Sequence, residues 1–142
     1  MASIHPYLNF SGNCEEAFRF YRSVFGGELS DLNRFSEAPS ELPSPESEAD
    51  KIMHVSLPIG DGQVLMGSDR PASMGPTTAG DNMHVSVSPD SAEEARRIFD
   101  GLSEGGRVTM PFERAFWGAD FGMCTDKFGI NWMVNYDPNQ PG

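Results

Sequence analysis

One order of elements occurs twice in this chain, and that internal repeat constrains the fold more than any other feature. "CEEAFRFY" at residues 14–21 matches "AEEARRIF" at 92–99, and a double glycine follows each, Gly26-Gly27 and Gly105-Gly106. Upstream, "YLNF" (7–10) aligns with "HVSV" (84–87). Downstream, Gly62 aligns with Gly129, so Met66 aligns with Met133. An acidic first turn shared by two helices would say little by itself. A matching order across five elements marks a duplicated supersecondary unit.

Local pattern assigns the elements. "IHPYLNF" (4–10) alternates and reads as a strand. Asn13 is a candidate N-cap for a helix with acids in its first turn, Ala17, Phe20, Tyr21 and Val24 at helical spacing, and Gly26-Gly27 as its stop. Residues 28–35 read as a strand, and the Pro-, Ser- and Glu-rich stretch 36–50 as a mobile loop long enough to act as a lid beside a site. "KIMHVSLPIG" and "QVLMGS" are strands joined through "DG", a hairpin signal. Residues 69–81 carry linker chemistry. A strand (82–88), a helix ("SAEEARRIFDGLSEGG") and three strands ("RVTMPFERAF", "GADFGMCT", "INWMVNY") then repeat the order. The expected fold is α+β: two βαβββ modules, 1–68 and 82–142, with curved mixed sheets around a shared cleft in one domain of 142 residues.

Strand side chains alternate between faces, so each sheet turns its apolar set toward its one helix. That set is Leu8 and Phe10, then Met53, Val55, Leu57 and Ile59, then Met83, Val85 and Val87, with Trp132 and Val134 in the last strand. The opposite face then holds His5, Tyr7, Asn9, His54, Ser56, Met66, Ser68, Asn82, His84, Ser86, Asn131, Met133 and Asn135. All three histidines fall on it. A mixture of Met and aromatic residues, Trp117 included, with a few polar groups is how small-molecule sites are lined. The expected ligand-binding residues are His5, Tyr7, Asn9, His54, Met66, Asn82, His84, Trp117, Met133 and Asn135, and His5, His54 and His84 are the candidates for catalysis.

Charge and composition remove whole function classes. The formal net charge of −11 argues against nucleic acid and anionic membrane partners, which need a basic footprint. No apolar run approaches the roughly 20 residues of a membrane span. "MASIHPYLNF" lacks the features of a signal peptide, so a cytoplasmic protein is expected. Two cysteines are too few for a disulfide framework. Cys14, at a helix start, reads either as a small buried residue or as a thiol of lowered pKa.

The paired βαβββ units resemble the vicinal oxygen chelate superfamily, which includes glyoxalase I, extradiol dioxygenases and bleomycin resistance proteins. "PYLNFSGNCEEAFRFYRSVFGGEL", "MHVSLPIGDGQVLMGSD" and above all "FWGADFGMCTDKFGINWMVN" resemble its PhnB-like branch, some members of which carry a 3-demethylubiquinone-9 3-methyltransferase label. The resemblance implies a homodimer. It also implies, in metal-using members, a His from the first strand and a Glu from the last strand of each unit on one divalent ion. Carried over by position, the His sites fall on His5 and Asn82 and the Glu sites on Met66 and Met133. Thioether is a poor ligand for a hard divalent ion and Asn a weak one, so only His5 survives as a metal ligand and no cofactor is expected.

Three readings follow: a metal-free module that binds a small organic molecule; a lyase-, isomerase- or dioxygenase-type enzyme with a divalent metal on a rearranged site of His5, His54 and His84; and a methyltransferase. The last lacks a glycine-rich nucleotide loop after a first strand.

Overall fold

The computed structural model describes residues 2–37, 49–60 and 62–139, in two compact units, Met1–Thr78 and Ala79–Gly142. Residues 38–48, most of the expected lid loop, and the hairpin residue Asp61 lie outside the described set.

The first unit runs β1 (Tyr7–Phe10), α1 (Cys14–Phe25), β2 (Ser30–Arg34), β3 (Ile52–Pro58) and β4 (Val64–Asp69). The second runs β5 (Val85–Val87), α2 (Ala92–Ser103), β6 (Arg107–Arg114), β7 (Asp120–Thr125) and β8 (Asn131–Tyr136). Each sheet has four strands, ordered β1-β4-β3-β2 and β5-β8-β7-β6. In each, the first strand pairs in parallel with the last and the other pairs are antiparallel. The duplicated βαβββ order is therefore real, and the sheets are mixed and open.

Each helix covers one face of its own sheet. Cys14, Ala17, Phe18, Tyr21 and Val24 recur at three- and four-residue spacing and are buried against Leu8, Phe10, Val55, Leu57 and Leu65. Phe18, not the expected Phe20, completes this stripe. In the second unit Ala95, Ile98, Phe99 and Leu102 face Cys124, Trp132 and Val134. Packing is close enough to require glycine in both sheets. A Cβ on Gly67 would stand 2.6 Å from a Phe18 ring carbon, and one on Gly122 would stand 2.8 Å from a Phe99 ring carbon.

The helix starts use different devices. Ser91 accepts the Glu94 amide at 3.1 Å, while the Glu94 carboxylate accepts the Asp90 amide at 3.0 Å. Asn13 stands at the N-cap of α1 without a side-chain cap bond. Its work is done by Asp69 at the end of β4, 2 % exposed, which accepts the amides of Gly12, Cys14 and Ile52 at 2.8–2.9 Å. Asp126 has the same character in the second unit, accepting the Phe128 and Ile130 amides and the Trp132 indole N–H.

Three local expectations are corrected. At the start of β3 the residue turned into the core is Ile52 (1 % exposed) rather than Met53, because the β2–β3 register breaks between Asn33↔His54 and Arg34↔Ile52. β5 begins at Val85 rather than residue 82, and Met83 is 61 % exposed instead of covered by α2. The Asn131 side-chain amide donates to the Gly80 and Met83 carbonyls, taking the place of ladder pairing there. The alignment of "YLNF" with "HVSV" also shifts. Tyr7 is the register partner of Met66, and Ser86, not His84, is the partner of Met133.

Candidate functional site

The face of each sheet turned away from its helix carries the candidate chemistry. In the first unit the register places Tyr7, Met66, Ser56 and Ser30 in one row across all four strands. Tyr7, 42 % exposed, reaches diagonally to β3, and its hydroxyl lies 3.1 Å from His54 Nδ1. The other ring nitrogen, Nε2, lies 3.1 Å from Ser56 Oγ, two residues further along the same strand. Ser56 is 5 % exposed. The result is a hydrogen-bonded chain from a buried hydroxyl, through an imidazole, to a half-exposed phenol. The two rings are 5.7 Å apart and tilted by 33°. Asn9 and Ser68 are register partners on the same face.

The equivalent row of the second unit is Ser86, Met133, Met123 and Met110. Where the first sheet holds a phenol and two hydroxyls around one thioether, this one holds three thioethers and one hydroxyl. Phe121 and Asn135 are partners on this face. Trp117, in the β6–β7 turn, packs edge-on against Phe121 at 5.5 Å, and Phe116 packs against Trp117 at 5.0 Å. Phe116 is 98 % and Trp117 52 % exposed. One surface is built to hydrogen-bond, the other to make apolar and stacking contacts.

The corrected register changes the carried-over metal positions. His5 lies two residues before Tyr7 and His84 two residues before Ser86, so His84, not Asn82, is the counterpart of His5. His5 precedes β1 because Pro6 offers no N–H, although the Pro6 carbonyl still accepts the Met66 amide at 3.1 Å. Both His positions are therefore filled by His, while both Glu positions remain Met66 and Met133. Among the described residues, no three His, Cys, Asp or Glu side chains gather into a group able to hold a metal ion. His54 has a hydrogen-bond partner on each ring nitrogen, so ligation would break one of those bonds. The donor set does not fit the hard divalent ion that the resemblance implies.

Both cysteines and the Arg114–Asp120 pair have structural roles. Burial, then the charges of Asp69 and Glu15, push the Cys14 thiol far above its ordinary value, the opposite of an activated nucleophile. Burial and then Asp126 push Cys124 up to about 11. Arg114 Nε donates to Asp120 Oδ1 at 2.7 Å across neighbouring strands. An open concavity of about 670 Å³ in the second unit is formed by turns at Gly80, Gly106, Arg107, Lys127 and Asn131, and none of the expected site residues lines it.

Sequence reasoning placed Ser56 beside His54 on one face but did not count it in the site; the i, i+2 spacing in "HVS" was the available signal. Phe121 was among the aromatics of "AFWGADFG" that favoured a pocket but was not counted in the site, and Met123 and Met110 were missed. Met110 and Met123 join Met133 only through cross-strand register.

Comparison with known proteins agrees with this architecture. The model of the Glyoxalase/Bleomycin resistance protein/Dioxygenase superfamily matches residues 3–134. Protein YjdN of Escherichia coli (strain K12) is 31% identical over 146 aligned positions, covering 97% of each chain. The crystal structure of PA1353 from Pseudomonas aeruginosa is 42% identical, with TM-score 0.84 over 96% of this chain and 98% of that one. A PhnB protein from Bacillus cereus, labelled provisionally a 3-demethylubiquinone-9 3-methyltransferase, is 26% identical, with TM-score 0.76 over 95% and 99%.

Proposed function

This chain belongs to the Glyoxalase/Bleomycin resistance protein/Dioxygenase superfamily, and we propose that it is a PhnB-like protein binding a small organic molecule on its open sheet faces without the usual His/Glu metal set. The observation that carries this reading is the Tyr7–His54–Ser56 chain, whose half-exposed phenol is hydrogen-bonded to an imidazole that is itself held by a buried hydroxyl. On the first unit's sheet a fixed polar group stands beside apolar Met66, and on the second unit's sheet the Met133–Met123 row and the Trp117–Phe121 pair lie with Ser86 and Asn135; each face taken by itself combines few polar anchors with apolar area, as small-molecule surfaces do. Asn9, Asn135, His5, His84 and Asn82 belong to the same proposal as flanking polar groups. The proposal includes a cytoplasmic homodimer. Edge strand β6 exposes Val108 and Met110, and no helix among the described residues is long and apolar enough to cross a membrane.

The experiment joins two measurements. Untagged protein purified without chelator is assayed by mass spectrometry for Zn, Ni, Mn, Fe and Co, beside His5→Ala. Thermal shift is recorded with a panel of small aromatic acids, phenols and amines. Stabilisation by a panel member that weakens in Tyr7→Phe or Trp117→Ala, at less than about one-tenth metal per chain, is the expected result. Near-stoichiometric metal that is lost in His5→Ala overturns it.

One observation favours the second reading, a metal-dependent enzyme: His5 and His84 each lie two residues before the strand residue, Tyr7 or Ser86, that pairs with the methionine at the carried-over Glu position. Stoichiometric metal would bring that reading forward. Nothing in the residues supports methyl transfer.

A further inference from the structure

The polar chain on the first sheet has a direction. A buried hydroxyl must place its proton on an acceptor, because leaving it without one loses its hydrogen bond to water with nothing in return. Ser56 is 5 % exposed, and among the described residues His54 is its hydrogen-bonding partner. Ser56 therefore donates to His54 Nε2, which must be the unprotonated nitrogen of a neutral ring. The ring proton then sits on Nδ1 and donates to the Tyr7 oxygen, 3.1 Å away. With its oxygen already accepting, the phenol turns its own O–H outward, to the side on which Tyr7 is 42 % exposed.

We infer that Tyr7 is a specificity-determining residue: an oriented hydrogen-bond donor that takes the ligand by an accepting oxygen, as in a carboxylate, carbonyl or phenolate, and disfavours cationic, donor-only groups. The inference rests on the ligand-binding reading above and deepens it. The imidazole acts through the phenol as a positioning residue, and Ser56 sets its tautomer. A phenol that accepts a hydrogen bond is a stronger donor, so the chain also strengthens the bond Tyr7 offers. Met66, the register partner of both Tyr7 and Ser56, supplies apolar contact beside the oxygen.

Two readouts on the full chain test this. The first is the tautomer of His54, from two-bond ¹H–¹⁵N correlation of the imidazole at neutral pH. The expected result is Nδ1–H with bare Nε2 in the native protein, and a changed tautomer balance in Ser56→Ala, with backbone amide dispersion as the check on folding. Nε2–H or an imidazolium in the native protein overturns the direction of the chain. The second is titration with benzoate and with benzylammonium, matched in ring and opposite in hydrogen-bonding sense. Benzoate is expected to shift the Tyr7 and His54 resonances and to bind about tenfold more weakly to Tyr7→Phe. Equal or tighter binding of benzylammonium at these resonances, or no shift there with either probe, overturns the ligand class. Shifts confined to Trp117 would leave the binding function standing while removing this inference.

Discussion

Asp69 Oδ1 accepts the backbone amide of Cys14 at 2.9 Å across 55 residues of sequence, so the last residue of β4 caps the helix that begins after β1. The same carboxylate holds Gly12 and Ile52, and through them joins three elements at one buried point.

Replacing Asp69 by Ala leaves three amides without their acceptor in a site that is 2 % exposed. The expected loss is about 2–4 kcal/mol. Asp69→Asn should cost less, since an amide oxygen can still accept from Gly12 and Cys14 while its NH₂ opposes the Ile52 N–H. Urea unfolding midpoints of the three proteins should fall in the order wild type, Asn, Ala.

Gly67→Ala forces a methyl to 2.6 Å from the Phe18 ring and 2.9 Å from the Leu8 carbonyl oxygen. The ring can shift but the backbone oxygen is fixed within the β1–β4 ladder. The expected destabilisation is about 1–3 kcal/mol. A variant as stable as the native chain would show that α1 rides higher on the sheet than described.

Glu15 is held low, at about 2, first by its hydrogen bonds with Arg34 and then by those with Arg19. A carboxylate depressed in the folded state adds stability above its unfolded value near 4.5 and loses it as pH falls toward 2. The pair is partly exposed, which limits the contribution to about 1 kcal/mol. Glu15→Gln should therefore be less stable than wild type at pH 6 and nearly equal to it at pH 2, measured by chemical unfolding.

Cys14 and Cys124 are both fully buried, with thiols pushed up by burial and by neighbouring carboxylates. Neither should react with an aromatic disulfide reagent at pH 8 in the native protein, and both should react in denaturant. Rapid labelling of Cys14 in the native state would contradict its packing under α1.

The sequence by itself determined that the chain is built twice, which elements each copy contains, and which face of most strands is apolar. Periods of two and 3.6 residues, double glycines and acidic first turns are local signals, written within a dozen residues of where they act. Leu8, Phe10, Val55, Leu57, Trp132 and Val134 were legible as core for that reason, and His54 and Tyr7 as facing the other way. The tertiary structure alone decided which residue of one strand stands beside which residue of the next. A slip of two residues keeps every side chain on its face, so alternation cannot distinguish His84 from Asn82 as the second unit's counterpart of His5. Nor could it show that Met110 completes the methionine row, that Asp69 rather than Asn13 caps α1, or that Tyr7 meets His54. Those contacts join residues 47 to 55 positions apart in the last two cases, and they are set by ladder hydrogen bonds and helix packing that no local pattern encodes.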